Sequence, residues 1–189
     1  LLEGVNNYPL MAVPFFMLAG ELMNAGGISK RIIAMAEALI GHVRGGLGYV
    51  AIIAALVMAS ISGSAVADTA ALAAVLIPLM RKAGYDIPRS SGLIAAGGII
   101  APIIPPSIPF VIFGVAAQVS ITKLFLAGIV PGILMGVALW VTWWLCAPKS
   151  TPDVSLRKFE WARLRHAVRD GLWALALPVV IIGGMKAGV

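Results

Sequence analysis

The chain has 189 residues, of which 60% are hydrophobic and only 12% charged, and its mean hydropathy is +0.99. Soluble domains carry about 25% charged residues, so this is the composition of an integral membrane protein, all-α in fold class. The net charge of +6 raises nucleic acid as a partner. The basic side chains fall in clusters between apolar runs, however, which is the pattern of topology signals, and that reading is set aside.

Taken in order, the first apolar run, Tyr8 to Met23, predicts a membrane helix within 1–27. Pro14 lacks a donor and either kinks this helix or marks its first turn, and Gly26-Gly27 stops it. Glu21 is the one charge inside, read either as an interfacial carboxylate or as an intramembrane group. From 28 to 45 the pattern turns amphipathic. Ile28, Ile32, Met35, Leu39 and Val43 share one helical face, with Lys30, Glu37 and Arg44 on another, as in a helix lying in the interface plane.

Residues 46–83 are apolar at both ends and polar in the middle, where Ser60, Ser62, Gly63, Ser64, Asp68 and Thr69 gather. His42 and Arg44 precede this stretch, and Arg81 and Lys82 close it. Positive charge favours the cytoplasmic face, so both ends are expected on one side. Each arm is shorter than the roughly 20 residues a comfortable crossing needs. The pattern predicts a re-entrant helical hairpin whose Ser62-Gly63-Ser64 tip is unwound at mid-membrane, where irregular backbone must be buried in protein or line a cavity.

Within 84–123, the run Ser90 to Gln118 is long enough to cross but contains Pro102, Pro105, Pro106 and Pro109. An interior proline costs about 3 kcal/mol and removes a backbone bond, so the span is expected to break into two half-helices. Residues 124–148 predict a full span containing Gly128, Pro131, Gly132 and Gly136, with Trp140, Trp143 and Trp144 as an aromatic belt. Residues 149–169 form the most basic stretch and are expected to be a cytoplasmic linker, and 170–189 to begin another membrane helix. The chain opens at Leu1 and closes at Val189 just after an apolar run, so it reads as a piece of a longer protein.

Hydroxyls of Ser62 and Ser64, with carbonyls freed near Gly63 and at Pro102 to Pro105, make a neutral oxygen cage suited to a small alkali cation such as Na⁺. Asp68, four residues past Ser64, either faces the same cavity or bonds backbone at the positive start of the returning helix. Ser107 is placed to cap the second half-helix, whose free amides could receive an anion. Catalysis finds little support. A serine nucleophile needs a nearby base, and the histidines, His42 and His166, lie in polar basic stretches. No metal-ligand cluster or phosphate-cradling loop is present, and the single cysteine, Cys146, supports neither a disulfide nor a cysteine metal site. A purely structural subunit would leave the two polar interruptions unexplained.

Ile61-Ser62-Gly63-Ser64-Ala65-Val66-Ala67-Asp68-Thr69-Ala70, then Pro102 to Pro109, then Phe125-Leu126-Ala127-Gly128-Ile129-Val130-Pro131-Gly132 resemble the large, DctM-like membrane subunit of tripartite ATP-independent periplasmic (TRAP) transporters, as does Pro14 to Met23. The resemblance covers nearly the whole chain and stops about midway through such a subunit. It implies an elevator-type transporter of two inverted repeats, multi-pass in the bacterial inner membrane. It also implies Na⁺-driven uptake of organic acids of the C4-dicarboxylate, keto-acid or sugar-acid type. Na⁺ is then the coupling ion, with no other cofactor. The implied partners are a small membrane subunit and a periplasmic substrate-binding protein. On this resemblance Ser62, Gly63 and Ser64 face Pro105, Pro106 and Ser107 across one Na⁺ site, and 28–45 is an arm between scaffold and moving domain. A second hairpin and any substrate-pairing arginine would lie beyond Val189, leaving half of a site here. The alternative is a Na⁺/carboxylate symporter of related architecture that works without a binding protein.

Overall fold

A computed structural model describes residues 8–147 together with 161, 165 and 167–169. The basic linker, His166 and the helix expected over 170–189 fall largely or wholly outside the described residues. Seven helices follow in order: α1 Tyr8–Ala25, α2 Ile28–Ile40, α3 Gly46–Ser62, α4 Ala65–Lys82, α5 Ile87–Gly98, α6 Ile108–Ala116 and α7 Ile121–Cys146. No strand occurs among the described residues. α7 is the one described helix that is both long and apolar enough to cross a membrane. At 1.5 Å per residue it extends about 39 Å, against about 30 Å of hydrocarbon.

The core is built around α3. This helix is apolar on all sides, and an all-apolar helix is stable only when enclosed. Val50, Ala54 and Ala59 are fully buried along it. α2 and α5 pack beside it, α4 returns along it, and α1 and α7 close the remaining sides. α4 offers one buried stripe, Asp68, Leu72, Leu76 and Met80, at the four-residue spacing that aligns side chains on a helical face. The carboxylate therefore heads an otherwise aliphatic ridge.

α2 differs from the expected interfacial helix in its orientation. Its buried face is Ser29, Ile32, Ile33, Met35 and Ala36, whereas Leu39 is 43% exposed and Val43 lies in the turn beyond the helix. The reason is the neighbouring α3, which offers a protein surface to cover and rotates the buried stripe toward Ser29 and Ile33.

The aromatic cluster near the end of α7 also departs from a simple belt. Trp144 is 68% exposed, but Trp143 is only 4% exposed. Its indole Nε1 donates to the Gly45 carbonyl at 2.9 Å, and its ring stacks on Tyr85 with centroids 6.2 Å apart. A Cβ at Gly48 would overlap this indole, so glycine is what admits it. Gly45 precedes α3 and Tyr85 follows α4. One side chain thus holds both ends of the helical hairpin.

Candidate functional site

The hairpin turns at Gly63, whose φ of 60° is left-handed and favours a residue without Cβ. A Cβ there would also lie 2.5 Å from the Pro106 carbonyl oxygen and 3.3 Å from Ser107 Cα. The tip is therefore seated directly on the break between α5 and α6. Ser64 adopts an extended conformation as the N-cap of α4. Its Oγ accepts from the Ala67 amide at 3.4 Å, and its own amide donates to Ser62 Oγ at 3.1 Å.

The break spans 99–107 because the chain meets three prolines before a new helix can start. Turns bond the Ile100 amide to Gly97 and the Ile103 amide to Ile100. The Pro105-Pro106 peptide is cis. Ser107, 1% exposed, is the N-cap of α6 and accepts from the Phe110 amide at 3.3 Å, while its hydroxyl donates to the Pro102 carbonyl. Pro109 falls in the first turn of α6, where its missing N–H is no loss. The break is thus partly satisfied from within: the Gly97 and Ile100 carbonyls accept hydrogen bonds, and so does the Pro102 carbonyl, one of those expected to be free. Pro106 is the one whose carbonyl meets the tip.

α7 supports the break from behind. Gly128, Gly132 and Gly136, four residues apart, are all buried. Side chains at these positions would strike the Ile103 carbonyl and Phe110, the Ile104 side chain, and the Leu56 side chain respectively. Small residues let helical backbones approach closely in membrane proteins. This stripe is a packing feature that the reading of single motifs missed, and its signal was the four-residue spacing.

Two voids, each of about 10 Å³, flank Ser62. On the break side the lining includes Ser62, Pro106, Ser107, Val13 and Phe125. On the other side Ser62 joins Asp68, Asn24 and Ser29. Asp68, 1% exposed, accepts the Ser62 hydroxyl at 2.6 Å through Oδ1. The carboxylate thus bonds a side chain, where bonding to backbone was one of the two expectations. The structure brings Ser62, Gly63, Pro106 and Ser107 together, with Asp68 and Ser64 attached through Ser62. Ser64 lines neither void, and Pro105 is buried within the break and lines neither. The break-side void has the hydroxyl oxygens for a small bare cation and none of the bases that nucleophilic catalysis needs.

Fold and site together define an α-helical membrane protein organised on a helical hairpin and a discontinuous helix. The family model of the tripartite ATP-independent periplasmic transporter, DctM component, matches residues 1–189, and the chain belongs to that family. It is similar to the 2,3-diketo-L-gulonate TRAP transporter large permease protein YiaN of Escherichia coli, at 56% identity over 100% of this chain and 44% of the relative. The sialic acid TRAP transporter large permease protein SiaM of Vibrio cholerae is 43% identical over 100% of the chain and 44% of the relative. The C4-dicarboxylate TRAP transporter large permease protein DctM of Pseudomonas aeruginosa is 40% identical, again over 100% and 44%. The chain spans less than half the length of these curated relatives. They are named as transporter permeases, not enzymes, and a membrane location follows for this chain.

Proposed function

We propose that this chain is part of the large permease subunit of a binding-protein-dependent transporter that takes up an organic acid by Na⁺ symport across the bacterial inner membrane. The observation that carries the reading is the seating of Gly63 on Pro106 and Ser107, beside a void of about 10 Å³ whose lining includes the hydroxyl residues Ser62 and Ser107. Neutral oxygens hold Na⁺ firmly enough to bind and loosely enough to release, as a transport cycle needs. Ser62 and Ser107 are the direct ligands in this reading, and Ser64 fixes the tip by capping α4. The hairpin is re-entrant: α3 and α4 enter and leave on the cytoplasmic side, and the hairpin and broken helix belong to a domain that moves against a scaffold. The exposed face of α7 meets lipid or scaffold. A small membrane subunit and a periplasmic substrate-binding protein complete the assembly. The relatives' names support a substrate drawn from sugar acids, keto acids and dicarboxylates.

The test is uptake into proteoliposomes that hold the full-length subunit and its small partner. Labelled 2,3-diketo-L-gulonate, sialic acid and a C4-dicarboxylate are offered with and without a Na⁺ gradient and the cognate binding protein. Uptake that requires both is the expected result and identifies the acid. Uptake that requires Na⁺ but not the binding protein would replace this reading with the two-component symporter, and uptake that requires neither would overturn it.

A further inference from the structure

At the end of the hairpin opposite its tip, a groove of about 660 Å³ opens between α5 and α7. Ligand pockets run about 300–1,000 Å³, so the groove has the size of a binding site. Tyr85, just before α5, stacks on Trp143 near the end of α7, so α5 starts beside the last turns of α7 and runs back along it. Arg89 and Gly92 line the groove from the first turns of α5, and Leu139, Trp143 and Ala147 line it from the end of α7. Ala96, also in the wall, lies two turns, about 10 Å, beyond Arg89.

The groove is polar at one end only. Arg89 is the one charged side chain among the described residues that line it. Deeper in the wall, Thr142 turns its hydroxyl to the Ala138 carbonyl of its own helix at 2.7 Å. Arg89 Nε pairs with Asp86 Oδ2 at 3.4 Å, but both side chains are more than half exposed. Such a pair is weak, and the terminal nitrogens of the guanidinium fork remain for other oxygens. Asp86 sits at the N-cap of α5 without making a side-chain cap bond, so the positive end of that helix adds to the guanidinium field. Lys149 comes two residues after Ala147 and opens the most basic stretch of the sequence.

A water-soluble acid would meet one cation here and then two turns of apolar wall. A phospholipid has the matching order, with phosphate at the membrane surface and hydrocarbon below it. On the topology proposed above this end faces the cytoplasm, where basic pockets between membrane helices bind anionic headgroups. We infer that the groove between α5 and α7 holds one anionic phospholipid, with its phosphate on Arg89 and an acyl chain along Ala96, Leu139 and Trp143. The cationic groups at the mouth outnumber Asp86, which selects a net negative headgroup. Gly92 leaves room for the chain, since a Cβ there would meet nothing within 4 Å. The lipid packs on the same indole that holds both ends of the hairpin. The inference goes beyond the transport reading and holds whichever acid is carried.

The experiment is native mass spectrometry of the purified full-length subunit with its small partner, delipidated in detergent and titrated with phosphatidylglycerol, phosphatidylcholine or inorganic phosphate. Wild type is compared with Arg89→Gln, with Gly92→Leu, which fills the groove, and with Lys123→Gln, a charge control at the opposite end of α7. Arg89, Gly92 and Lys123 are all exposed, and thermal unfolding verifies that each variant is folded. Wild type is expected to bind one more phosphatidylglycerol than Gly92→Leu does. Arg89→Gln should weaken that lipid at least fivefold, Lys123→Gln should leave it unchanged, and phosphatidylcholine should bind wild type at least fivefold more weakly. Folded Arg89→Gln and Gly92→Leu that bind phosphatidylglycerol as wild type does would overturn the inference, as when the second half of the subunit fills the groove. Phosphatidylcholine or inorganic phosphate bound as tightly as phosphatidylglycerol would overturn it too. The transport reading stands or falls separately, on uptake.

Discussion

A methyl group at position 63 would meet two obstacles at once. The backbone there is left-handed, which costs a residue with a Cβ about 1–2 kcal/mol, and the added carbon would press on the Pro106 carbonyl. Gly63→Ala is therefore expected to lower the stability of the full-length subunit by about 2–4 kcal/mol from strain and overpacking together. Uptake should fall with it. Gly92→Ala is the control, since Gly92 lies inside α5 with open space around it, and replacing a helical glycine there should be neutral or gain up to about 1 kcal/mol. Thermal unfolding of the two variants decides the matter, and equal melting temperatures would contradict the close seating of the tip. At this scale the sequence was partly legible. Serines, glycine and prolines declare a polar interruption and a break by their chemistry alone. That Ser64 is spent on a helix cap while Ser62 faces two voids depends on side-chain direction at a turn, which no residue type encodes. The burial of Asp68 was open to inference, because its spacing to Leu72, Leu76 and Met80 places it on the core face of α4.

Among the helices, the hairpin makes the sharpest claim about topology. α3 and α4 are 17 and 18 residues long, about 26 Å each, and their outer ends meet at Trp143. Cysteines at Arg44 and Lys82, both exposed and at opposite ends of the hairpin, should react with a membrane-impermeant maleimide from the same side, the cytoplasmic one. The background must carry Cys146→Ser, because Cys146 is itself exposed. Labelling of the two positions from opposite sides would show that the stretch crosses the membrane. The hairpin and the broken helix are visible in the sequence because Gly, Pro and hydroxyl residues interrupt apolar runs at fixed places. The rotation of α2 was not, since an amphipathic pattern says that one face is buried without saying what buries it. Trp143 was misread for the same reason. Tryptophans near the end of a span satisfy the rule for an interface belt, and only the approach of Gly45 and Gly48 turns one of them inward.

For the molecule as a whole, the medium decides which surface is tolerable. α7 leaves Leu126, Val130, Ile133, Leu134, Val137 and Leu145 exposed, a face far too apolar for water and consistent with lipid or a neighbouring membrane helix. Leu134 stands near the midpoint of this helix and is 62% exposed. An arginine at the centre of a membrane helix costs roughly 2.5–3.5 kcal/mol on insertion scales. Leu134→Arg should therefore reduce the amount of subunit recovered from membranes several-fold, whereas Leu134→Ile should leave it unchanged. Normal membrane recovery of Leu134→Arg would mean that this face lines water. Membrane class was readable from composition alone, because hydropathy sums over the chain and needs no geometry. The order of packing around α3 was not readable, since it arises from pairwise fits such as the glycine stripe of α7 against the break.

The indole of Trp143 limits how the pair α3 and α4 can move. Two rods joined at a turn have a scissor motion about that turn, with their free ends parting. Here the free ends share one anchor, by a hydrogen bond to Gly45 on one side and ring stacking on Tyr85 on the other. The loop of chain is thereby closed, and scissoring is removed from its low-energy motions. What remains is bending at the two-residue tip or travel of both rods and α7 as one body. For the transport reading proposed above, a device so closed would have to expose its tip to one aqueous compartment and then the other by changing where it stands, with its own shape preserved.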